Sequence, residues 1–372
     1  MPESEASLFQ LEWLVSAASA RIGFSASLPS VAIPPLEQLV ARPQARLQQK
    51  ISEALAKKDF DTLFEGFPVG SRDRCRLLSC LGPLSSGWLS AIPGYTRGDK
   101  RKCLNNFHYR MATALTLGLP FPLANLSSLC TCRAAVDALG DHFFLCHQTT
   151  AERLFKHNTL LDVFKSILAE VGIPAVTEVT LRSLGITPPD SDPNSQRMDL
   201  FLTVDGEDIL ADVTVRHPCR PDNSIAHHRS VNRTNSRRPG GAAAASGERE
   251  KDRKYGANCR RQGYTFIPLA AETFGRWGEG TLTLLRRLAR RRVAPPASSA
   301  EDRAFLHEGV MNHWGQCLSV ALMRWNAFQV SCRAHRVADA RAQQRAGLFP
   351  EDLICRGPYR AQTRTFVCQD RP

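Results

Sequence analysis

Residues 198–215 read MDLFLTVDGEDILADVTV. Two β-branched, apolar-rich runs, 198–204 and 209–215, flank Asp205-Gly206-Glu207-Asp208, and Asp-Gly between such runs predicts a tight hairpin. The hairpin carries Asp199 and Asp212, with twelve residues between them, which is the separation that brings both near one edge. Working outward, AVTEVTL (175–181) alternates as a strand should and carries Glu178, while TFIPLAAE (265–272) reads as a fourth strand. Helical periodicity marks 157–172, with Asn158 or Thr159 as N-cap and Gly172 as stop, and also 248–262 and 279–292. The order helix, three strands, helix, strand, helix predicts an α/β fold, a mixed sheet flanked by helices over 151–295. The polar, Gly/Ser/Pro-rich stretch 220–247 reads as a mobile insertion inside it.

The flanks read as helical. In 1–125, apolar residues recur every three or four positions over 8–24 and over 35–67, where Pro43 is a break. Turn signals interrupt 76–93, and a helix over 103–119 ends at Gly118 and Pro120. Residues 296–372 predict a helical tail, one or two helices over 305–345 after a Pro/Ser-rich linker, with a turn-like end. Trp13, Trp88, Trp314 and Trp325 fall at core positions of helical patterns. No repeat recurs at a fixed period.

Of 372 residues, 43% are hydrophobic and 23% charged, which excludes a wholly disordered or collagen-like chain. No run approaches the roughly 18 apolar residues of a membrane span, and the acidic start MPESEASLFQ lacks the form of a signal peptide. The net charge of +12 points to a polyanionic partner. Twelve cysteines without an export signal are expected to be reduced, so a tight Cys/His cluster reads as a metal site.

Such a cluster lies in 126–150: Cys130-Thr-Cys132, nine residues, His142, three residues, Cys146. A Cys-x-Cys bend offers two sulfurs, and a His and a Cys four apart share one face of a helical turn. Three thiolates and an imidazole make a closed, structural zinc site rather than a catalytic one. His147 could replace His142 as the nitrogen donor.

Glu178, Asp199 and Asp212 on one sheet edge could hold a hard divalent ion such as Mg²⁺, which polarises phosphodiesters. Lys251 or Lys254 would meet transition-state charge, with Tyr255 as a positioning hydroxyl. Taken alone, acids in strands are ordinary solvent-facing residues; the order of the motifs adds the meaning.

Cys-x-Cys…His-x-x-x-Cys, His157-Asn158, Glu178, Arg197-x-Asp199, Asp212-Val-Thr-Val and Lys254-Tyr255 together resemble the restriction-like endonuclease of non-LTR retrotransposons, of the PD-(D/E)XK superfamily, with its preceding zinc knuckle. GYTFIPLAAETFGRWGEG (263–280) is similar to the strand and turn after the nuclease helix. GWLSAIP (87–93) and FHYRMATALTLGLPFP (107–122) are similar to the linker from polymerase to knuckle, so the resemblance covers about 70–295. It implies structural Zn²⁺ on Cys130, Cys132, His142 and Cys146. It also implies catalytic Mg²⁺ on Asp199 and Asp212 with Glu178 assisting, a Lys from 251 or 254, and Tyr255. The implied activity is nicking of a DNA target, with element RNA as a second partner, in the nucleus or on chromatin. Three departures stand out: Met198 replaces the Pro of the Pro-Asp pair, Thr214 stands where a Lys would follow Asp212, and 220–247 is inserted. A Tyr-x-Asp-Asp polymerase signature is absent, so the chain resembles a separated carboxy-terminal portion, working or catalytically silent.

Residues 216–262 hold 12 Lys+Arg against 4 Asp+Glu. Arg197, Arg253, Arg260, Arg261, Arg286, Arg287, Arg290 and Arg291 are therefore candidate phosphate contacts, with steep salt dependence.

Overall fold

The computed structural model describes residues 47–91, 101–122, 129–189, 196–219, 226–237, 241–293 and 299–345. The expected helix 8–24, Trp13, the Pro43 break and the turn-like end lie outside them. The chain divides into two units, Met1–Pro68 and Val69–Pro372. In the first, α1 spans Leu47–Gly66 within the stretch expected to be helical.

The second unit is mixed helix and sheet. Its four strands are β1 (Ala175–Thr180), β2 (Arg197–Val204), β3 (Glu207–Arg216) and β4 (Thr265–Glu272), in the order β1-β2-β3-β4. β1, β2 and β3 pair antiparallel, and β4 joins β3 in parallel. The pair Val204↔Glu207 leaves a two-residue turn. Its residues Asp205 and Gly206 both have positive φ, 51° and 80°, the backbone that matches the twist of a hairpin.

The helices are α2 (Arg72–Cys80), α3 (Asn106–Leu117), α4 (Asp141–Leu145), α5 (Thr150–Glu170), α6 (Ala226–Asn235), α7 (Ala242–Lys251), α8 (Ala257–Arg261), α9 (Glu279–Val293) and α10 (Ala300–Arg345). A π-helical turn, Asp252–Gly256, joins α7 to α8. α3 starts at Asn105, whose side chain accepts the His108 N–H, and stops at left-handed Gly118.

One face of the sheet buries Leu200, Leu202, Ile209 and Ala211 against Phe164 and Leu168 of α5, Leu285 and Leu288 of α9, and Trp314 and Leu318 of α10. Each such leucine, removed from water, contributes about 1.5–3 kcal/mol. The other face packs Met198, Leu210 and Phe266 against Tyr255 and Cys259 of the α7–α8 segment. Trp88 is buried in a third cluster with α3 and α10, and Trp325 is half-buried.

Two expectations change. The helix carrying His157 starts at Thr150, not near Asn158, because nothing in 150–156 breaks it and Glu152 suits a first turn. The stretch 220–247, expected to be irregular, holds α6 and the start of α7 in its described residues. Its alanines are strong helix formers whose small side chains let α7 sit close to β4, and Ala242, Ala243 and Ala244 are buried. The one or two helices expected over 305–345 are one 46-residue helix, which contributes to the core beside the sheet.

Candidate active site and metal cluster

Asp199 and Asp212 are 9% and 5% exposed, so they are not solvent-facing acids. One step beyond the pair Leu200↔Ala211 a side-chain bond replaces the ladder: Oδ2 of Asp199 accepts the Val213 N–H at 2.6 Å. The same oxygen lies 2.7 Å from Nε2 of His157 on α5. Lys251, the last residue of α7, places Nζ 2.6 Å from Oδ2 of Asp212. This ion pair gives the buried Oδ2 of Asp212 a cationic partner at close range.

The local fold explains the approach of Lys251. Gly247 lies over β3, where a methyl would stand 3.1 Å from Cγ of Arg216 and 3.3 Å from Cγ2 of Thr214, so α7 approaches the strand closely here. Arg216 in turn pairs with Glu250 at 2.7 Å. The π turn then stacks both lysines on one ring, with Nζ of Lys251 5.7 Å and Nζ of Lys254 5.4 Å from the Tyr255 centroid. π turns inside helices are frequent where a side chain must be re-aimed.

The electrostatics follow from burial. Desolvation, aided by the charge of Asp199, pushes the Asp212 carboxyl up to about 6, against the pull of Lys251. Burial disfavours charge on His157, but the bond to Asp199 outweighs it and raises the imidazole to about 9. Two acids thus face two cations in a site that excludes most water.

The remaining expected residues are less close. Glu178 is exposed, has φ of 55°, and its carboxylate makes no hydrogen bond or ion pair among the described residues. The ring of Tyr255 is 3% exposed and lies in the core beneath α8. Arg197 and Arg253 are exposed, Arg260 pairs with Asp252, and Arg261 donates to Asn258. On α9, Arg286 pairs with Glu279; Arg287 holds Asp205, Glu207 and the Val204 carbonyl; Arg291 holds Asp205. Arg290 is exposed with no ion pair among the described residues. This cluster therefore borders the turn end of the hairpin, about 17 Å along β2 from Asp199 at 3.3 Å per residue.

Cys130, Cys132, His142 and Cys146 present sulfur and nitrogen atoms all within 4.8 Å of one another, a group that could hold a metal ion. Sγ of Cys130 is 3.9 Å from Sγ of Cys146, close to the about 3.8 Å edge of a tetrahedron with 2.3 Å bonds, so the donors suit zinc. Sγ of Cys132 is 3.3 Å from Nε2 of His142. His142 is oriented by Asp137, which accepts the N–H groups of Asp141 and His142 at 3.0 and 2.9 Å. His147 is exposed and lies outside the group, so His142 is its one imidazole.

A buried ion cluster ties this segment to the sheet. Asp141 accepts from Nε and Nη2 of Arg72 at 2.5 and 2.7 Å, and lies 3.1 Å from Nε2 of His217, just beyond β3. The His217 ring stacks on Phe144 at 4.9 Å. Nothing in the sequence spacing announces this triad; only the fold brings α2, α4 and β3 together.

No model of a known protein family matches this sequence. No curated protein matches it either.

Proposed function

We propose that the chain is a divalent-metal-dependent DNA endonuclease of the restriction-like type, with a structural zinc ion on its Cys/His cluster. The observation that carries the reading is the buried pair Asp199 and Asp212 on adjacent strands, with Lys251 at 2.6 Å from Asp212. The fit for a hard cation rests on two buried carboxylates on adjacent strands, oxygen donors of the kind such an ion prefers. Asp199 and Asp212 would hold Mg²⁺, which supplies Lewis-acid activation of water and phosphate. Lys251 stands where it would offset charge on the phosphodiester, the role of a pre-placed cation. His157 holds Asp199 from the α5 side and fixes its rotamer. Arg197 and Arg253 are exposed cations on β2 and the π turn, suited to the DNA backbone. The product would be a nick with a 3′-hydroxyl, on chromatin, with element RNA as a second ligand.

A second reading is a catalytically silent nucleic-acid-binding module. The observation that favours it is that His157 and Lys251 already neutralise both acids. Nicking of supercoiled plasmid at low salt with Mg²⁺ separates the two, comparing the native chain with Asp199→Ala and Asp212→Ala. Nicking lost in both variants while binding survives supports the nuclease. Tight, salt-sensitive binding without nicking in the native chain sinks it and leaves the silent module.

A further inference from the structure

We propose that Arg333, on the long helix α10, is the charge partner of the Cys/His metal site and sets how tightly the metal is held. It rests on the four ligands binding a metal, and it extends that site to a residue far outside the segment that carries the ligands.

Zn²⁺ with three thiolates and a neutral imidazole bears one net negative charge. Leaving such a charge in a buried site is costly unless a cation compensates it. Cys130 and Cys146 are 5% and 3% exposed, and Val337 of α10 packs on them, so water cannot supply that compensation fully. Arg333 can. Its side chain is buried, and Nη2 lies 3.1 Å from Sγ of Cys130 and 4.0 Å from Sγ of Cys146. The same nitrogen donates to Oε1 of Gln148 at 2.5 Å and to Oγ1 of Thr131. Thr131 lies between the two ligands of the Cys-x-Cys bend, and Gln148 follows Cys146 by two residues. The guanidinium therefore grips both halves of the ligand set at once. No carboxylate forms a salt bridge with it among the described residues, which leaves the sulfurs as its electrostatic partners.

The next turn of α10 provides an internal comparison. Arg336 pairs with Glu152 of α5 at 2.9 Å, an acid outside the Cys/His group, so its loss disturbs the same helix through a different partner.

The test measures Zn²⁺ affinity by competition with a chromophoric chelator, and the sulfur-to-metal charge-transfer band after Co²⁺ substitution. The native chain is compared with Arg333→Gln, Arg333→Lys and Arg336→Gln. Arg333→Gln should bind Zn²⁺ about 10–100-fold more weakly, the usual effect of losing an outer partner of a metal ligand. Arg333→Lys, which keeps the charge, should stay within about threefold of native, as should Arg336→Gln. Native affinity in Arg333→Gln would overturn the proposal. So would an equal loss in Arg333→Lys, or in Arg336→Gln, since the effect would then be one of shape or of helix stability. If Arg333→Gln does not fold, the Lys variant still decides, because its Co²⁺ band must match native. A native chain that takes up neither metal refutes the ligand set itself, a failure distinct from that of Arg333.

Discussion

Oδ2 of Asp199 is shared between two donors, Nε2 of His157 at 2.7 Å and the Val213 amide at 2.6 Å. A helix and a neighbouring strand thus fix one carboxylate oxygen, and a cation bound by the acid must compete with the imidazolium.

That competition is measurable. Without divalent ions, the His157 imidazole should titrate near 9, and saturating Mg²⁺ should return it toward its ordinary 6.5. Because the folded value is raised, the pair stabilises fully below pH 6.5, and the contribution drains as pH rises through about 9. Imidazole NMR shifts give the titration. A metal-free value near 6.5 would remove His157 from the site.

Lys251 and Lys254 share the Tyr255 ring, but Lys251 is the one that contacts Asp212. Single-turnover nicking should fall about 10²–10³-fold in Lys251→Met, the scale of losing one pre-placed charge stabiliser. Lys254→Met should change it only a few-fold. The Asp212 carboxyl, already up at about 6, should rise further in Lys251→Met once its attractive partner is gone. Equal losses in both variants would contradict the assignment.

Asp141→Ala leaves Arg72 buried without its partner, which should cost about 3–5 kcal/mol in urea unfolding. Burial opposes ionisation of Asp141, yet its bonds to His217 and Arg72 win and hold the carboxyl down at about 2. Its contribution is therefore complete above the ordinary value near 3.8 and is lost as pH falls through about 2. The gap between native and variant should persist at pH 4; a gap already closed there would show that the ionised form is not what stabilises.

Arg290→Ala should weaken DNA binding uniformly across sequences and reduce the slope of log affinity against log salt by about one. Arg287 holds the hairpin turn through Asp205, Glu207 and the Val204 carbonyl, so Arg287→Ala should lower thermal stability more than it changes the slope. Identical slopes for native and Arg290→Ala would take α9 out of the interface.

The hairpin was legible because alternation and Asp205-Gly206 agree, and with it the neighbourhood of Asp199 and Asp212. The ligand set was legible because four soft donors crowd into 17 residues. The start of α5 was misread because Asn158 and Thr159 look like caps, yet a cap is needed only where a helix ends. The helices of 220–247 were hidden by glycine, serine and proline, although four alanines, 242–245, stand near its end. The roles of Arg287 and Arg333 depend on acids and sulfurs distant in sequence, and one-dimensional spacing carries no trace of those contacts.

The parallel pairing of β3 with β4 separates the parts of this neighbourhood by a long crossover in sequence. The two acids lie on one local hairpin, whereas Lys251 rides on the crossover 217–264 that leads to β4. Contacts this distant in sequence close late and slowly. A growing chain therefore carries the hairpin and His157, which precedes it, before Lys251 has been made. Asp199 can meet its imidazole early, whereas Asp212 gains its lysine only with the crossover.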